Sequence, residues 1–254
     1  MIDAHCHLEQ KDFDKDLDEL IKEWKKELMA VVTCCAHPSD FEKSLDIIKK
    51  YPDFVFLCAG IHPEFIKNID EEIKKKFFEK IEKEKNKIVG IGETGLDYYW
   101  IQEEEWREKQ RILFKETIEL SKKLDKPLVV HIRGKENVAS DALNILKEGK
   151  VKKVLLHLFG KRNFLNEVIE EGWYISIGPI IKTSKDYKKI ARDFPLERIL
   201  LETDSPWFGG SERGTPLNIK IVCEEIAKIK KLEYKTVWER CGQNAIEFFR
   251  LLSK

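Results

Sequence analysis

The sequence lacks the charge imbalance of a protein that coats nucleic acid. Its 46 Lys and Arg residues are matched by 46 Asp and Glu residues, so the formal net charge is zero. Proteins that neutralise many phosphates carry a large basic excess. Any contact of this chain with nucleic acid is therefore expected to be local.

A long apolar segment and a Cys-x-x-Cys pair are also missing. No apolar run approaches the about 20 residues that span a membrane. The chain starts directly with Met1-Ile2-Asp3-Ala4-His5, which leaves no room for a signal peptide. The six cysteines lie mostly in apolar segments, as is typical of reduced packing thiols in a cytosol. These absences predict a cytoplasmic protein that does not enter the membrane.

No Gly-rich phosphate loop follows the first predicted strand. A doubly wound open sheet usually carries that loop there, whereas this chain has His5-Cys6-His7. No low-complexity linker divides the 254 residues, although this length also permits two smaller domains. We therefore expect one domain over residues 1–254, with the open sheet as the main alternative.

What the sequence does contain is an alternation of short apolar runs with longer amphipathic stretches, which is typical of repeated βα units. Strands are predicted at Ile2–His7, Ala30–Cys34, Phe54–Ala59, Ile88–Gly92, Leu128–His131, Lys153–His157, Trp173–Ile177 and Ile199–Leu201. Helices are predicted at Leu17–Leu28, Phe41–Lys50, Glu71–Lys85, Glu103–Leu124, Asn137–Lys147, Asn163–Glu170, Tyr187–Asp193, Asn218–Ile229 and, last, Lys235–Leu252. This pattern predicts an α/β fold, a single-domain (β/α)8 TIM barrel with an extra C-terminal helix.

The histidines all fall at or just after the ends of predicted strands, where a barrel enzyme carries its catalytic groups. They are His5, His7, His37, His62, His131 and His157. Because strand side chains alternate between faces, His5 and His7 project to the same side. Their nitrogens are therefore placed to share one metal ion.

Acidic groups end two strands in the same way. Glu93 stands between glycines after an apolar run, a position that a cation explains better than packing does. Asp204 follows strand eight, and Glu202 lies on the same face one layer deeper, where we expect it to orient a metal ligand. Asp3 stands in the same relation to His5.

Together these positions offer four imidazoles and two carboxylates, from His5, His7, Glu93, His131, His157 and Asp204. The set is too large for one catalytic ion with an open position, so we expect two divalent ions bridged by Glu93. Mixed nitrogen and oxygen ligands suit Zn, Mn, Co, Ni or Fe and are less typical of Mg.

Six motifs, in order along nearly the whole chain, are similar to those of the TatD family of metal-dependent deoxyribonucleases. They read His5-Cys6-His7, Gly60-Ile61-His62-Pro63, Gly92-Glu93-Thr94-Gly95-Leu96-Asp97-Tyr98, His131-Ile132-Arg133, His157-Leu158-Phe159 and Glu202-Thr203-Asp204-Ser205-Pro206. The resemblance implies a metallo-dependent hydrolase barrel whose metal pair hydrolyses phosphodiester bonds in DNA. It also implies a first ion on His5, His7 and Asp204, a second on His131 and His157, and Glu93 shared.

Two rim loops depart from the family pattern. The Ser and Gly that usually follow the His-x-Phe motif are replaced by Gly160-Lys161, and the late Arg-Asn-x-Pro element reads Arg213-Gly214-Thr215-Pro216. Both departures leave the ligand set intact. Because rim loops determine what a barrel accepts, the departures bear on substrate preference.

The charge of the expected site favours an anionic substrate, since two divalent ions and two ligand carboxylates leave about +2. Arg133 is expected to clamp a phosphate oxygen, with His62 as a second donor. The alternatives are a rim salt bridge from Arg133 to Glu93 or Asp97, and a structural role for His62.

The expected reaction is metal-assisted hydrolysis, with Asp204 and Glu93 as catalytic groups and Asp204 as the base that accepts a proton from water. Aromatic residues of the rim either stack on the bases of a DNA single strand or end, or cover the core; they are Tyr98, Tyr99, Trp100, Trp207 and Phe208. No obligate protein partner is expected.

Two other functions are less compatible with the sequence. One is a metal-dependent amide or ester hydrolase, such as an aminoacyl-tRNA deacylase. Many binuclear amidohydrolases use a carboxylated Lys where this chain has Glu93. The other is a non-catalytic barrel, which would bury Glu93 and Asp204 at a high cost without a cation.

Overall fold

The strands of the barrel are parallel and follow one another in chain order. A computed structural model describes residues 1–251, with the backbone alone at residue 136. Its sheet has the order β1-β2-β3-β4-β5-β6-β7-β8. The strands are β1 Ile2–Cys6, β2 Ala30–Cys35, β3 Val55–Ala59, β4 Ile88–Asp97, β5 Leu128–Arg133, β6 Val154–Leu156, β7 Tyr174–Ile177 and β8 Ile199–Leu201. The predicted (β/α)8 barrel is confirmed.

Helices follow the strands and surround the barrel. They are α1 Leu17–Trp24, α2 Phe41–Lys50, α3 Glu71–Lys83, α4 Glu104–Leu124, α5 Glu136–Glu148, α6 Leu165–Glu170, α7 Lys185–Asp193, α8 Ile219–Lys230 and α9 Tyr234–Phe249. Amphipathic faces drive this packing: Trp24 of α1 and Phe114 of α4 are at most 1% exposed. Within residues 1–251, no helix combines the length and the apolar character that crossing a bilayer requires.

The barrel closes between β1 and the segment that follows β8. The Asp204 amide donates to the His5 carbonyl at 2.9 Å, and the His7 amide donates to the Ser205 carbonyl at 2.8 Å. Asp3 strengthens this seam, because its carboxylate accepts from the Thr203 amide at 3.0 Å and from the Thr203 hydroxyl at 2.5 Å. The closure therefore brings the first strand and the segment after the last strand together at the rim.

The apolar core has two parts. One cluster joins alternate residues of strands from opposite sides of the barrel, such as Val32 of β2 and Leu155 of β6, and continues onto Phe248 of α9. Only the barrel interior brings such strands together. The larger cluster, which includes Trp24 and Trp173, lies between the strands and the helices. The strands are thus buried on both faces, as their continuous apolar runs predict.

Strand four is longer than its sequence predicts. The prediction ended it at Gly92, but β4 continues to Asp97 with a register shift between Ile91 and Thr94. Gly92 has φ +145°, and a Cβ there would lie 2.4 Å from the Val129 carbonyl oxygen. Glycine therefore permits the shift, and Glu93 lies inside an irregular strand rather than after its end.

The other predicted boundaries agree within two residues, except at two helix ends. Helix α1 ends at Trp24 instead of Leu28 because the Lys26 and Glu27 amides bond three residues back, each at 3.0 Å. Helix α9 ends at Phe249. Residue 252, where the prediction ended that helix, lies outside the described residues.

Candidate metal centre

The carboxylate of Glu93 lies between two pairs of imidazoles at the rim. Its Oε2 is 3.3 Å from His5 Nε2 and 3.7 Å from His7 Nε2. Its Oε1 is 3.0 Å from His131 Nδ1 and 3.5 Å from His157 Nε2. Each carboxylate oxygen therefore faces a different pair of these histidines, at the end of β1 on one side and at the ends of β5 and β6 on the other.

Asp204 joins only one of these two groups. Its Oδ1 lies 3.3 Å from His7 Nε2 and 3.6 Å from His5 Nε2. The two-residue spacing of His5 and His7 brings their Nε2 atoms to 3.1 Å of each other, as strand alternation predicts. The structure thus brings all six predicted ligand side chains together, although their role as ligands stays a prediction.

The donor set fits divalent cations. Two overlapping groups have ligand atoms within 4.8 Å of one another, one formed by His5, His7 and Glu93 and the other by Glu93, His131 and His157. Imidazole nitrogens that point at a common centre with carboxylate oxygens are the usual ligands of Zn and similar metals. Such a buried cluster is the arrangement that cations stabilise.

The electrostatics of the carboxylates match this fit. Burial alone would raise the pKa of Glu93, but the charges of His157, His62 and His5 bring that pKa well below its usual range. Burial opposes ionisation of Asp204 too, yet its hydrogen bond to His7 leaves the pKa lowered. Both carboxylates are therefore ionised at neutral pH.

The pKa values of the imidazoles are shifted in different directions. Burial lowers the pKa of His5. Burial would lower the pKa of His157 as well, but Glu202 and Glu93 raise it to about 10. Similarly, hydrogen bonds to Asp204 and Glu9 overcome burial and raise the pKa of His7 well above its usual value. Without metal, the site therefore holds protons that ligation would displace.

Three imidazoles have a carboxylate at the nitrogen that faces away from Glu93 or Asp204. His7 Nδ1 lies 3.1 Å from Glu9 Oε1. His131 Nε2 lies 2.9 Å from Asp97 Oδ2, and His157 Nδ1 lies 3.1 Å from Glu202 Oε2. Partners of this kind fix the tautomer and orientation of a metal-binding imidazole. Glu202 therefore lies where an orienting role is possible, as expected.

Glu9, Asp97 and Cys34 were missed by the sequence reasoning. Glu9 lies two residues beyond His7, and the same two-residue spacing relates His7 to His5. This spacing could therefore have indicated Glu9 as well. Asp97 belongs to a predicted motif, but the sequence indicates no contact between it and His131. The fourth imidazole, His5, contacts Cys34 Sγ at 3.3 Å through Nδ1. No feature of the sequence pairs these two residues, which lie on different strands.

The expected role of Asp3 is wrong. Its Oδ1 accepts from the His5 amide at 3.3 Å, while the His5 ring contacts Cys34 instead. Burial raises the pKa of Asp3 well above its usual value. Asp3 thus stabilises the backbone of the barrel seam and does not orient an imidazole.

His62 and His37 each precede a proline that begins a short helical turn. His62 Nδ1 accepts from the Glu64 amide at 3.2 Å, and its Nε2 lies 3.4 Å from Glu93 Oε1. His62 therefore combines a structural contact with a position beside the carboxylate. His37 Nδ1 accepts from the Ser39 amide at 3.2 Å, in the loop where the sequence placed it.

Arg133 ends β5 and stacks on aromatic rings. Its guanidinium carbon lies 4.6 Å from the centre of the Tyr99 ring and 5.3 Å from that of Trp100. Asp97 pairs with His131 instead. Among the described residues, the alternative of a salt bridge from Arg133 to Glu93 or Asp97 is therefore wrong.

An open cavity of about 550 Å³ leads to the cluster. Its walls include Arg133, Trp100 and Trp207, together with His62 and Glu93. Both tryptophans are about half exposed, at 56% for Trp100 and 48% for Trp207. A substrate entering the barrel mouth would meet cationic and aromatic groups before it reached the histidines.

The (β/α)8 fold and the donor groups at its C-terminal rim together define the class of protein, which is a metal-dependent hydrolase barrel. Residues 2–250 match the family model described as TatD related DNase. The chain belongs to the TatD family, and the resemblance drawn from the six motifs is confirmed.

Named relatives span nearly the whole chain. Deoxyribonuclease TATDN3 of Homo sapiens is 35% identical, over 98% of this chain and 94% of its own. An uncharacterised metal-dependent hydrolase of Methanocaldococcus jannaschii is also 35% identical, over 98% and 96%. The crystal structure of the TatD homologue YJJV from Escherichia coli has a TM-score of 0.88 at 22% identity, with 98% of each chain covered. At that identity the last comparison shows the fold alone.

Proposed function

We propose that the protein is a divalent-metal-dependent deoxyribonuclease that cleaves phosphodiester bonds in DNA. The observation that carries the proposal is the position of Glu93, whose two oxygens each face a separate group of histidines at 3.0 to 3.7 Å. The name of the human relative, a deoxyribonuclease, supports the same reaction for this chain.

Two divalent ions fit this geometry, one with His5, His7 and Asp204 and the other with His131 and His157, with Glu93 shared. When bound, such a pair would supply positive charge to the phosphate and lower the pKa of a water molecule. Mixed imidazole and carboxylate ligands favour Zn, Mn, Co or Ni over Mg.

The chain supplies the proton transfers. The Asp204 side chain is 13% exposed, compared with 4% for Glu93, so Asp204 is the carboxylate more open to solvent. We assign Asp204 as the base that accepts the proton of the attacking water. We assign His62, whose Nε2 lies 3.4 Å from Glu93 Oε1, as the group that donates a proton to the leaving oxygen.

Arg133 and the rim aromatics are suited to a nucleic-acid strand. Stacking on Tyr99 and Trp100 holds the Arg133 guanidinium over the cavity, where it would contact a phosphate oxygen. Tyr99 and Trp100 are exposed by 54% and 56%, and Trp207 and Phe208 by 48% and 44%. Exposed rings of this kind stack on unpaired bases, which favours a single strand or a frayed end as substrate.

The test compares hydrolysis of end-labelled single-stranded DNA, double-stranded DNA and an aminoacyl-tRNA by metal-loaded protein. We expect DNA cleavage, and Asp204→Asn should lower its rate by about 100-fold or more, as loss of a general base does. Metal content is measured for each variant. Asp186→Asn, at an exposed position of α7, is the matched control. Hydrolysis of the aminoacyl ester without any DNA cleavage would contradict the proposal.

A further inference from the structure

The imidazole of His5 differs from the other three in its outer partner. His7, His131 and His157 each face a carboxylate with the nitrogen turned away from the cluster centre. His5 instead places Nδ1 at 3.3 Å from the sulfur of Cys34. That contact joins the first and second strands directly beneath the metal centre.

The three carboxylates all receive additional hydrogen bonds that compensate for their burial. Glu9 accepts from the Thr33 hydroxyl at 3.0 Å, Asp97 from the Tyr99 amide at 2.9 Å, and Glu202 from the Leu158 amide at 2.8 Å. A buried carboxylate needs such donors because it loses its hydration.

Cys34 lies where that compensation is missing. It is 0% exposed and belongs to the apolar cluster inside the barrel, with Ala4, Val32 and Cys58. Cys58 is its register partner on β3. A carboxylate in this layer would lose its hydration among apolar side chains without such donors, whereas a thiol packs as a small apolar group. The most deeply buried imidazole of the site is thus supported by a thiol, a weakly polar group that packs among apolar side chains.

We propose that Cys34 is a positioning residue that keeps Nε2 of His5 turned toward the metal centre and thereby sets the affinity for the ion held by His5, His7 and Asp204. The inference rests on the metal centre of the proposed function. It concerns orientation, since Cys34 contacts neither that centre's carboxylates nor a substrate position.

Ligation of a metal ion through Nε2 would fix the tautomer of His5. Nε2 lies 3.3 Å from Glu93 Oε2, so ligation there requires the Nε2 lone pair and places the ring proton on Nδ1. The Nδ1–H then donates to the Cys34 sulfur. Sulfur is a weak acceptor, so it orients the ring while raising its basicity less than a carboxylate would.

The experiment measures stepwise binding of Zn²⁺ to metal-free protein by calorimetry, together with elemental analysis. Loss of an outer partner typically weakens metal binding by about 10- to 100-fold, and we expect Cys34→Ala to weaken one of the two binding steps by this amount. Cys34→Ser, which keeps a polar group, should recover part of the loss. Cys35→Ala removes a buried thiol of the same strand that belongs to the outer apolar cluster, and should leave both steps within about twofold, well below that effect.

A second measurement needs no variant. In zinc-loaded wild-type protein with ¹⁵N-labelled histidine, NMR should show His5 bound through Nε2 with a slowly exchanging Nδ1 proton. Ligation through Nδ1, or equal effects of Cys34→Ala and Cys35→Ala on zinc binding, would overturn the inference while leaving the metal centre intact. Failure of the wild-type protein to bind two zinc ions would instead contradict the proposed function.

Discussion

Replacing Glu202 by Gln isolates the contribution of one outer carboxylate. Glu202 is fully buried, with one oxygen 3.1 Å from His157 Nδ1 and the other 2.8 Å from the Leu158 amide. Glutamine keeps one acceptor oxygen and converts the other into an amino group. Because the pKa of His157 is raised to about 10, its Nδ1 carries a proton at neutral pH in the metal-free protein. Whichever way the amide is then turned, one of the two donors faces another donor.

The expected magnitude follows from that single mismatch. A buried donor without an acceptor costs about 1–3 kcal/mol, so the metal-free protein should lose this much free energy of unfolding. If His157 is a ligand, metal affinity should also fall by about 10- to 100-fold, which corresponds to about 1.4–2.7 kcal/mol of binding free energy.

The assay combines urea denaturation of the metal-free protein with zinc titration of the folded protein. Glu197→Gln, at an exposed position, is the matched control and should change neither quantity. A Glu202→Gln protein with wild-type stability and wild-type zinc affinity would refute the reasoning, because it would mean that the two contacts of Glu202 contribute nothing.

Three further predictions concern protons, the rim and strand four. Because the pKa of His157 is raised to about 10, metal binding at neutral pH should release protons, and metal affinity should rise with pH. Calorimetry in buffers of different ionisation enthalpy would detect the proton release, and heats that do not depend on the buffer would contradict it. Arg213 pairs with Asp16 at 2.6 Å, but the side chains are 28% and 37% exposed. Arg213→Ala should therefore lower the free energy of unfolding, measured by urea denaturation, by only about 0.5 kcal/mol. A loss of several kcal/mol would be inconsistent with solvent screening of this pair. Gly92→Ala would place a Cβ 2.4 Å from the Val129 carbonyl oxygen at φ +145°, so the free energy of unfolding should fall by about 1–3 kcal/mol and metal binding should weaken. If the variant gave the same denaturation and zinc titration curves as the wild-type protein, the strand would have accommodated the methyl group.

The positions of the site groups could be predicted from sequence because they follow from topology. Parallel strands in a barrel all present their carboxyl ends at one rim, so His131 and His157 come together although 26 residues separate them. The alternation of side chains placed His5 and His7 on one side. No knowledge of the distances was needed for either conclusion.

The partners of the imidazoles required the three-dimensional structure. Cys34 is 29 residues from His5 and Asp97 is 34 residues from His131, and these contacts depend on strand register. The register of strand four depends on the irregularity beside Gly92, which places Glu93 in the interior of the strand instead of after its predicted end. Between the first two strands, a separate irregularity lies between Asp3 and Cys6. A one-residue shift would turn these side chains to the opposite face.

The central claim is that Glu93 is shared between two divalent ions, and anomalous X-ray scattering from crystals of zinc-loaded protein tests it most directly. The account predicts two zinc peaks about 3.5–4 Å apart, one beside His5, His7 and Asp204 and the other beside His131 and His157, with one oxygen of Glu93 at each. A single fully occupied peak, or two peaks of which neither contacts Glu93, would contradict it.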